Sequence, residues 1–410
     1  MKQLKQYLQS VWYNIRHNKL YALFCITGTA LTFIFVALVL QLLHILISNY
    51  PPMSNADSIV RIPSYFQDVK GTSTDNIGES ETNAFRELLK DFEHVSISHD
   101  QSIRIFSNDI SYHTYTSFAN ADFWRLYNFE FLHGRSFSEE DCMNRKNVIV
   151  ISESLSHTMF KTKNSIGEKV FFQNNEYKVA GVVKDVSLLA LPTQMPCDAY
   201  VPYVFNKWIP DGSYQYTIDL LAPTGMKMNE VKEKIAQAVQ HHFEKKNKQV
   251  DFTPQKIQTL KEQQLSEKSD AMFKYGGISA LFLFLLIPAI NIFSITIANT
   301  NNQAEEIAVR RTFGASCFSS FTRMVTENLL LTFAGAFVGM ALAIPTQDWI
   351  QQIIYADSIV QSTLIAHVDY SVVLLGVLPA VIVFSLLSSG LPAWYISKCN
   401  IAQVLKGGVK

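Results

Sequence analysis

The stretch that decides the fold is Glu305–Ser316, EEIAVRRTFGAS, a short charged segment between two long apolar ones. Glu306 and Arg310 lie one helical turn apart with the acid nearer the N-terminus, the favourable order for a helical ion pair. Gly314 suits the left-handed conformation that ends a helix, and Ser316 suits the N-cap of the next helix. This spacing predicts two helices joined by a tight turn, and by itself it fits a solvated helical hairpin as well as a contact site.

Long gaps in the charge pattern lie on both sides of this stretch. The chain has 410 residues, of which 48% are hydrophobic and 17% are charged. The four long segments without any Asp, Glu, Lys or Arg are 20–56, 275–304, 328–347 and 370–397. About 20 apolar residues span the hydrocarbon core of a bilayer. We therefore predict transmembrane helices over 20–48, 271–299, 318–346 and 370–397.

Basic residues in the short flanking segments predict the orientation. Residues 1–19 and 398–410 carry Lys and Arg without any acid, and Arg310 and Arg311 lie between the second and third spans. The segment 347–369 carries acids and no Lys or Arg. Because Lys and Arg are enriched in cytoplasmic loops, both termini and Glu305–Ser316 are predicted to be cytoplasmic.

The remaining segments complete a predicted domain plan. Alternating strand-like runs and helices with an apolar face within 49–270 predict an α+β domain, with helices near 81–92 and 228–243. The fold class is thus an α-helical membrane protein with four transmembrane helices and a large extracytoplasmic α+β domain inserted between the first two. The other predicted segments are an amphipathic N-terminal helix over 1–19, a cytoplasmic helix over 300–317, a short periplasmic loop over 347–369 and a cytoplasmic tail over 398–410.

Two features of the spans predict packing behaviour. Pro288 in the second span is expected to interrupt its hydrogen-bond ladder. Gly335, Gly339 and Ala343 recur every four residues in the third span, a small-residue stripe that lets helices approach closely. The stripe fits packing within the chain or a contact between two chains.

Several function classes find no support in the sequence. Equal numbers of acidic and basic residues argue against nucleic-acid binding. The chain has no GxxxxGK[ST], HExxH, GxSxG or CxxC motif, and its histidines are scattered. We expect no catalytic, cofactor-binding or metal-binding residue in this chain. Cys142 and Cys197, the two cysteines of the external segment, allow one disulfide, but nothing in the sequence shows that they are close.

Four stretches in order resemble the MacB/FtsX-type permeases of ABC transporters. These are GRSFSEED to VAGVVKDV within 134–186, NIFSITIANTNNQAEEIAVRRTFGAS at 291–316, ENLLLTFAGAFVGM at 327–340 and GLPAWYISKCNIAQVL at 390–405. The resemblance covers nearly the whole chain and matches the predicted topology.

The resemblance implies a non-catalytic permease subunit in a bacterial inner membrane. Its coupling helix would dock on a cytoplasmic ATPase, expected to be a separate polypeptide that holds ATP and Mg²⁺. The implied coupling residues are Glu305, Glu306, Ile307, Val309, Arg310, Arg311, Phe313, Gly314 and Ser316. Further implied partners are a second permease copy or paralogue, membrane lipid, and a periplasmic adaptor or substrate protein. ATP hydrolysis would move the periplasmic domain by mechanotransmission and expel a peptide, lipoprotein or other periplasmic substrate.

Two other classes compete with the permease interpretation. A membrane-anchored sensor would bind a ligand outside and signal through the cytoplasmic segment, and stimulation of a bound ATPase would separate the two. A membrane enzyme with an external active site is disfavoured, because no nucleophile–base pair or metal-ligand spacing is present.

Overall fold

The computed structural model describes residues 19–67, 74–107, 110–172, 174–187, 197–203, 216–267 and 316–354, with isolated residues or short runs from 279 to 314 and from 371 to 394. The chain divides into two compact units. We call the first the helical unit; it comprises 1–44, 271–350 and 367–410. We call the second the inserted unit; it comprises 45–270 and 351–366.

The described elements alternate between helices and short strands. The helices are α1 Lys19–Ile47, α2 Glu79–Leu88, α3 Phe123–Leu126, α4 Glu139–Met143, α5 Glu153–Phe160, α6 Met228–Lys245, α7 Leu260–Glu267 and α8 Cys317–Ile354. The strands are β1 Ile59–Ile62, β2 Tyr65–Gln67, β3 Thr74–Asn76, β4 Val95–Ser107, β5 Ile110–Ala119, β6 Phe131–Gly134, β7 Val148–Ser152, β8 Lys169–Phe172, β9 Asn175–Val183, β10 Ala199–Pro202, β11 Thr217–Leu221 and β12 Gln258–Thr259.

Two of these helices have the length and composition of membrane spans. They contain the apolar stretches Ala22–Gln41 in α1 and Asn328–Ile350 in α8. The predicted spans 271–299 and 370–397, including Pro288, lie outside the described residues except for isolated helical positions, and so does nearly all of the predicted N-terminal helix over 1–19. The four-span prediction is therefore supported for its first and third members and stays a prediction for the other two.

The helix α8 is longer than the sequence analysis predicted. It continues through 347–354, which had been assigned to the short periplasmic loop, so that part of the loop prediction is wrong. The apolar run marks where the bilayer core ends, whereas Gln and Asp residues beyond it are compatible with continued helix. Pro345 lies inside the same helix and did not end it.

The small residues of α8 face α1 at very short distance. A Cβ built on Gly339 would lie 2.5 Å from the Ala30 carbonyl oxygen, and one built on Gly335 would overlap the Thr29 hydroxyl. Ala343 is buried in the same helical unit, in a cluster that includes Phe33 and Val36 from α1. The stripe thus serves packing within the chain, one of the two roles left open above. Only glycine permits backbones to approach this closely.

The inserted unit is built on one large mixed sheet. Ten of the described strands belong to it, in the order β12-β1-β11-β4-β5-β10-β7-β9-β6, with β8 paired to both β4 and β9. Because β8 links β9 back to β4, the strands β4, β5, β10, β7, β9 and β8 close a ring. The two-stranded pair β2-β3 stands apart. This arrangement, with helices around the sheet, confirms the predicted α+β domain.

Separate hydrophobic cores form on the two faces of the sheet at β1. Val60 joins a core with Phe85 of α2 and Val231 of α6, whereas the adjacent Ile59 joins a core with Phe123 and Leu260. Adjacent residues of a strand point to opposite faces, so two helical layers can cover one strand. A third core fills the strand ring.

Most predicted elements of this unit are present with shifted ends. The hairpin expected over 170–183 is the antiparallel pair β8-β9, and the helix expected over 228–243 is α6. The helix predicted over 81–92 ends earlier, at Leu88, because a tight turn follows, in which the Phe92 N–H donates to the Leu89 carbonyl. Leu89 and Phe92 are nevertheless buried, so the apolar spacing was sound although the helix end was not.

Two glycines face each other across β6 and β9. Gly134 and Gly181 are register partners, and Gly134 has φ 71°. A Cβ on Gly181 would lie 2.5 Å from the Arg135 carbonyl oxygen. Glycine is therefore required at both Gly134 and Gly181, because the two backbones leave no room for a side chain.

The acidic residue Asp141 fixes the loop that follows. Its side chain is buried, and it accepts hydrogen bonds from Arg135 at 2.6 Å, Lys146 at 2.9 Å and the Ser138 N–H at 3.0 Å. Ser138 caps α4 in return through the Asp141 N–H. The Arg135 hydrogen bond, with those from Ser138 and Lys146, holds the pKa of Asp141 well below its usual range against the opposing effect of burial.

This network predicts an acid-sensitive loop. Because the folded-state pKa of Asp141 is depressed, its stabilisation is present above its unfolded pKa of about 3.9 and is lost as pH falls through the folded value. Asp141→Asn should destabilise the loop by about 1–2 kcal/mol at pH 7, since Arg135 and Lys146 are partly exposed and their contribution is screened. Hydrogen exchange of 135–152, corrected for the intrinsic rate, should show this change. Glu140→Gln is the control, and an equal effect there would contradict the assignment.

The α1–α8 contact generates a second prediction. Gly339→Ala should push the two helices apart and destabilise the chain by about 1–3 kcal/mol, the usual cost of overpacking. Gly390→Ala is the matched control, because a Cβ there meets nothing within 4 Å. Thermal unfolding of the detergent-solubilised chain is the measurement. Equal melting temperatures for the Gly339 variant, the control and the parent chain would show that the close approach is not required.

Candidate functional site

The turn that precedes α8 exposes two apolar side chains. The Val309 carbonyl accepts hydrogen bonds from the Phe313 N–H at 3.3 Å and from the Thr312 hydroxyl at 2.6 Å. Val309 is 46% exposed and Phe313 is 87% exposed. A single exposed apolar residue is ordinary, but a phenylalanine this exposed on an ordered turn is a candidate contact residue. The remaining predicted coupling residues lie outside the described residues: Glu305, Glu306, Ile307, Arg310 and Arg311.

The same turn joins directly to α8. Gly314 has φ 95°, the left-handed conformation expected from the sequence. The Ser316 hydroxyl accepts a hydrogen bond from the Ser319 N–H at 3.1 Å and so caps the new helix. The left-handed Gly314 suits the end of the turn, and the Ser316 cap marks the start of α8.

A further aromatic residue extends the exposed surface beyond the predicted segment. Phe318 is 76% exposed and its ring stacks on Phe321 at 6.4 Å. The predicted coupling segment ends at Ser316 and therefore does not include Phe318. The signal was available, because two phenylalanines three residues apart follow the cap.

The inserted unit holds a buried ion pair beside its edge strand. The Arg61 guanidinium in β1 donates to both carboxylate oxygens of Asp219 in β11, at 2.7 Å and 2.9 Å. The Tyr127 hydroxyl also donates to Asp219. Burial opposes the Arg61 charge, but the Asp219 carboxylate outweighs it and raises the pKa of Arg61. This bidentate pair holds β1 and β11 together. It lies close to where the chain leaves α1 and enters the inserted unit.

β1 and β12 are the first and last described strands of the segment 45–270. β1 pairs with β12 through Val60–Thr259 and Arg61–Gln258, and the Lys261 N–H donates to the Ala56 carbonyl at 3.1 Å. The segment that follows α1 is thus bonded to the segment that enters α7.

The helix α7 has two attachments of its own. Glu262 accepts from the Thr259 N–H at 2.9 Å, and its own N–H donates to the Thr259 hydroxyl at 3.1 Å. The Lys232 ammonium group of α6 reaches the same carboxylate at 2.6 Å. The start of α7 is therefore fastened to the body of the inserted unit.

Two acids lie near one another, the half-buried Asp185 just after β9 and the buried Asp198 just before β10. Asp198 accepts a hydrogen bond from Thr114 at 3.3 Å, and Asp185 accepts from the N–H and hydroxyl of Ser154. Burial, with a smaller contribution from Asp185, raises the pKa of Asp198 to about 7. The hydroxyl and backbone partners are those of a buried structural acid, and no base or nucleophile stands in a catalytic arrangement with it among the described residues.

The disulfide that the sequence allowed is not formed. Cys142 and Cys197 are both buried, and neither is in a disulfide. Burial raises the pKa of Cys142 to about 11 and that of Cys197 well above its usual value. Thiols this reluctant to ionise act as small apolar core residues.

The described residues also offer no metal site. No group of three or more His, Cys, Asp or Glu side chains within the described ranges could hold a metal ion. The adjacent His241 and His242 separate as expected, the first exposed and the second buried against Phe85. His99 stacks on Phe118 at 4.8 Å, and burial lowers its pKa to about 4. The imidazoles of His99 and His242 are packing residues.

Two family models match the chain. The MacB-like periplasmic core domain matches residues 22–238, and the FtsX-like permease C-terminal domain matches residues 278–401. The first match alone covers more than half of the chain.

Curated relatives are more distant in sequence. The macrolide export ATP-binding/permease protein MacB of Aggregatibacter actinomycetemcomitans is 26% identical over 212 residues, 51% of this chain and 32% of that protein. The ABC transporter permease YknZ of Bacillus subtilis is 22% identical over 210 residues, 51% of each chain. The pyoverdine export ATP-binding/permease protein PvdT of Pseudomonas aeruginosa is 22% identical over 242 residues, 58% of this chain and 35% of that protein. The matched parts span about a third to a half of these relatives.

Among solved structures, the periplasmic region of MacB from Actinobacillus actinomycetemcomitans aligns with a TM-score of 0.41 at 16% identity, covering 53% of this chain and 95% of that one. The extracellular domain of YknZ aligns with a TM-score of 0.37 at 16% identity, covering 47% of this chain and 98% of that one. The family is established by the matched domains: the chain belongs to the MacB/FtsX-type permeases of ABC transporters.

Proposed function

We propose that this permease couples ATP hydrolysis by a partner ATPase to movement of its inserted unit. The observation that carries the proposal is the turn at 309–316, where an ordered, capped turn exposes Phe313. The 410 residues contain no P-loop, and the partner ATPase would hold ATP and Mg²⁺. Arg310 and Arg311 next to Phe313 would add polar contacts to the apolar one.

The proposed path of movement runs through stiff elements. The turn is continuous with α8, and α8 contacts α1 along the line of Gly335 and Gly339, where there is no space to slide without collision. α1 leads in the chain to β1, which is bonded to the segment entering α7. Force applied at the turn would therefore be passed on as displacement of packed helices, which is the basis of mechanotransmission.

The setting of this mechanism is also proposed. The inserted unit is placed in the periplasm and both termini in the cytoplasm of a bacterium, with the helical unit in the inner membrane. A second permease copy or a paralogue would supply the other half of the transporter. The moved substrate would be a peptide, lipoprotein or other periplasmic molecule, with a periplasmic adaptor or substrate protein as a further partner.

The coupling assignment predicts loss of ATPase contact without loss of fold. Arg310→Glu with Arg311→Glu should abolish co-purification with the ATPase in nanodiscs, because both cations become acids. Phe313→Ser should weaken the complex by about 2 kcal/mol or more, the loss typical of a contact-centre aromatic side chain. Binding and ATP turnover are measured with and without the permease.

Phe171→Ser is the control, because Phe171 is an exposed phenylalanine, 42% against 87% for Phe313, on β8 of the inserted unit. It should bind the ATPase as the parent chain does. A variant that combines Arg310→Glu, Arg311→Glu and Phe313→Ser and still binds and stimulates the ATPase normally would refute the coupling role of the turn. Absence of any complex with the parent chain would instead favour the membrane-anchored sensor.

A further inference from the structure

The outer face of the strand ring carries two exposed phenylalanines side by side. Phe106 of β4 and Phe171 of β8 are register partners, and they are 47% and 42% exposed. Their chain neighbours Ile105, Val170 and Phe172 are buried and belong to the core that fills the ring. Because adjacent residues of a strand point to opposite faces, Phe106 and Phe171 lie on the outer side of the ring and not in that core.

The two rings form one apolar patch on a rigid support. A single half-exposed apolar residue is ordinary, but two neighbouring aromatic residues on paired strands present a continuous apolar surface. The strand β4 is paired with β5 along its whole length from Ser98 to Ser107. A partner that covers the patch would therefore meet side chains on a fixed backbone, which lowers the entropy cost of ordering the surface on binding.

The charges beside the patch leave two cations without a partner acid. Arg104 is exposed on the same face of β4, and Lys178 is exposed on β9 as the diagonal neighbour of Phe171. Glu176, on the same face of β9, is bonded to Lys169 at 2.9 Å. Among the residues that the structure describes, neither Arg104 nor Lys178 takes part in an ion pair. The surroundings of the patch are therefore basic.

This combination indicates the chemistry of a partner. Aromatic residues and arginine are enriched in the centres of protein interfaces, and the cations favour carboxylates on the opposing surface. An anionic lipid surface fits less well, because membrane-binding surfaces insert their apolar side chains into the headgroup region. Here about half of the surface of each phenylalanine is already covered by the protein. A protein segment can lie over such a face without needing the side chains to protrude.

We propose that this face binds an acidic protein segment, which places a large apolar side chain on Phe106 and Phe171 and carboxylates against Arg104 and Lys178. The binding itself does not depend on the ATPase. Only the assignment of the segment to a periplasmic adaptor or substrate protein rests on the proposed function.

The test uses the full chain in phosphatidylcholine nanodiscs and a synthetic peptide of sequence DEFLDEFLDE with an N-terminal benzophenone. Irradiation should attach the peptide to β4, β5 or β8, as located by mass spectrometry, and the peptide concentration that gives half-maximal labelling measures the affinity. The double variant Phe106→Ser with Phe171→Ser should weaken binding about tenfold, which corresponds to about 1.4 kcal/mol. Arg104→Glu should weaken it by a similar factor.

Two control variants change the same properties elsewhere in the inserted unit. Met143→Ser removes an apolar side chain that is 71% exposed on α4, and Lys234→Glu reverses an exposed charge on α6. Both should bind the peptide as the parent chain does. Arg104→Glu should also bind the basic peptide KKFLKKFLKK more tightly than the parent chain does, whereas a misfolded variant would lose both peptides. If the double phenylalanine variant fails to fold, this exchange of charge preference carries the test.

Several outcomes would overturn the proposal. They are no labelling, labelling at another surface, and labelling that the phenylalanine and arginine variants leave unchanged. Equal binding of the acidic peptide DESSDESSDE would show charge attraction without an apolar contact. Displacement of DEFLDEFLDE by vesicles that contain phosphatidylglycerol would assign the face to a lipid surface instead.

The partner ATPase is then added to the same samples. Peptide binding at this face without any ATPase complex would support the docking face and refute the proposed function. An ATPase complex without peptide binding would do the reverse.

Discussion

The inserted unit depends on the pairing of its first strand with its last. β1 beside β12 brings the start of the segment 45–270 close to its last strand. The ladder is short, but the Arg61–Asp219 pair fastens β1 to β11 on its other side, where Arg61 and Asp219 are also register partners. A buried charge pair is strongly destabilised when one partner is lost, so this junction cannot drift between alternative registers at low cost.

A comparable constraint operates between α1 and α8. In a bilayer the lipid is as apolar as the helices, so close packing rather than water exclusion holds helices together. Gly335 and Gly339 bring the α8 backbone to within contact of α1, and Thr29 hydrogen-bonds its own helix through the Cys25 carbonyl at 2.7 Å instead of projecting a free hydroxyl into the contact. The two helices are therefore positioned by shape, and a small outward step anywhere along the line separates them.

Local sequence patterns predicted several helices and strands. They did not predict where α8 ends or which distant residues contact one another. The charge gaps located α1 and α8, and the apolar spacing located α2 and α6, because those signals repeat within a few residues. The sequence did not predict that α8 continues past residue 346, because polar residues indicate exposure to water and do not exclude a helical backbone. Arg61 and Asp219 are 158 residues apart in the chain, so no local pattern connects them. Cys142 and Cys197 show the same limit, since only the fold reveals that each thiol is buried.

The β1–β12 pairing and the close contact between α1 and α8 each limit which local movements are possible. Because the segment after α1 and the segment entering α7 meet at the β1–β12 ladder, separating these two segments would have to break that ladder. At the turn, the left-handed Gly314 and the Ser316 cap lie two residues apart in the chain, just before α8. Under the proposed function, the β1–β12 junction would favour movement of the inserted unit as a body.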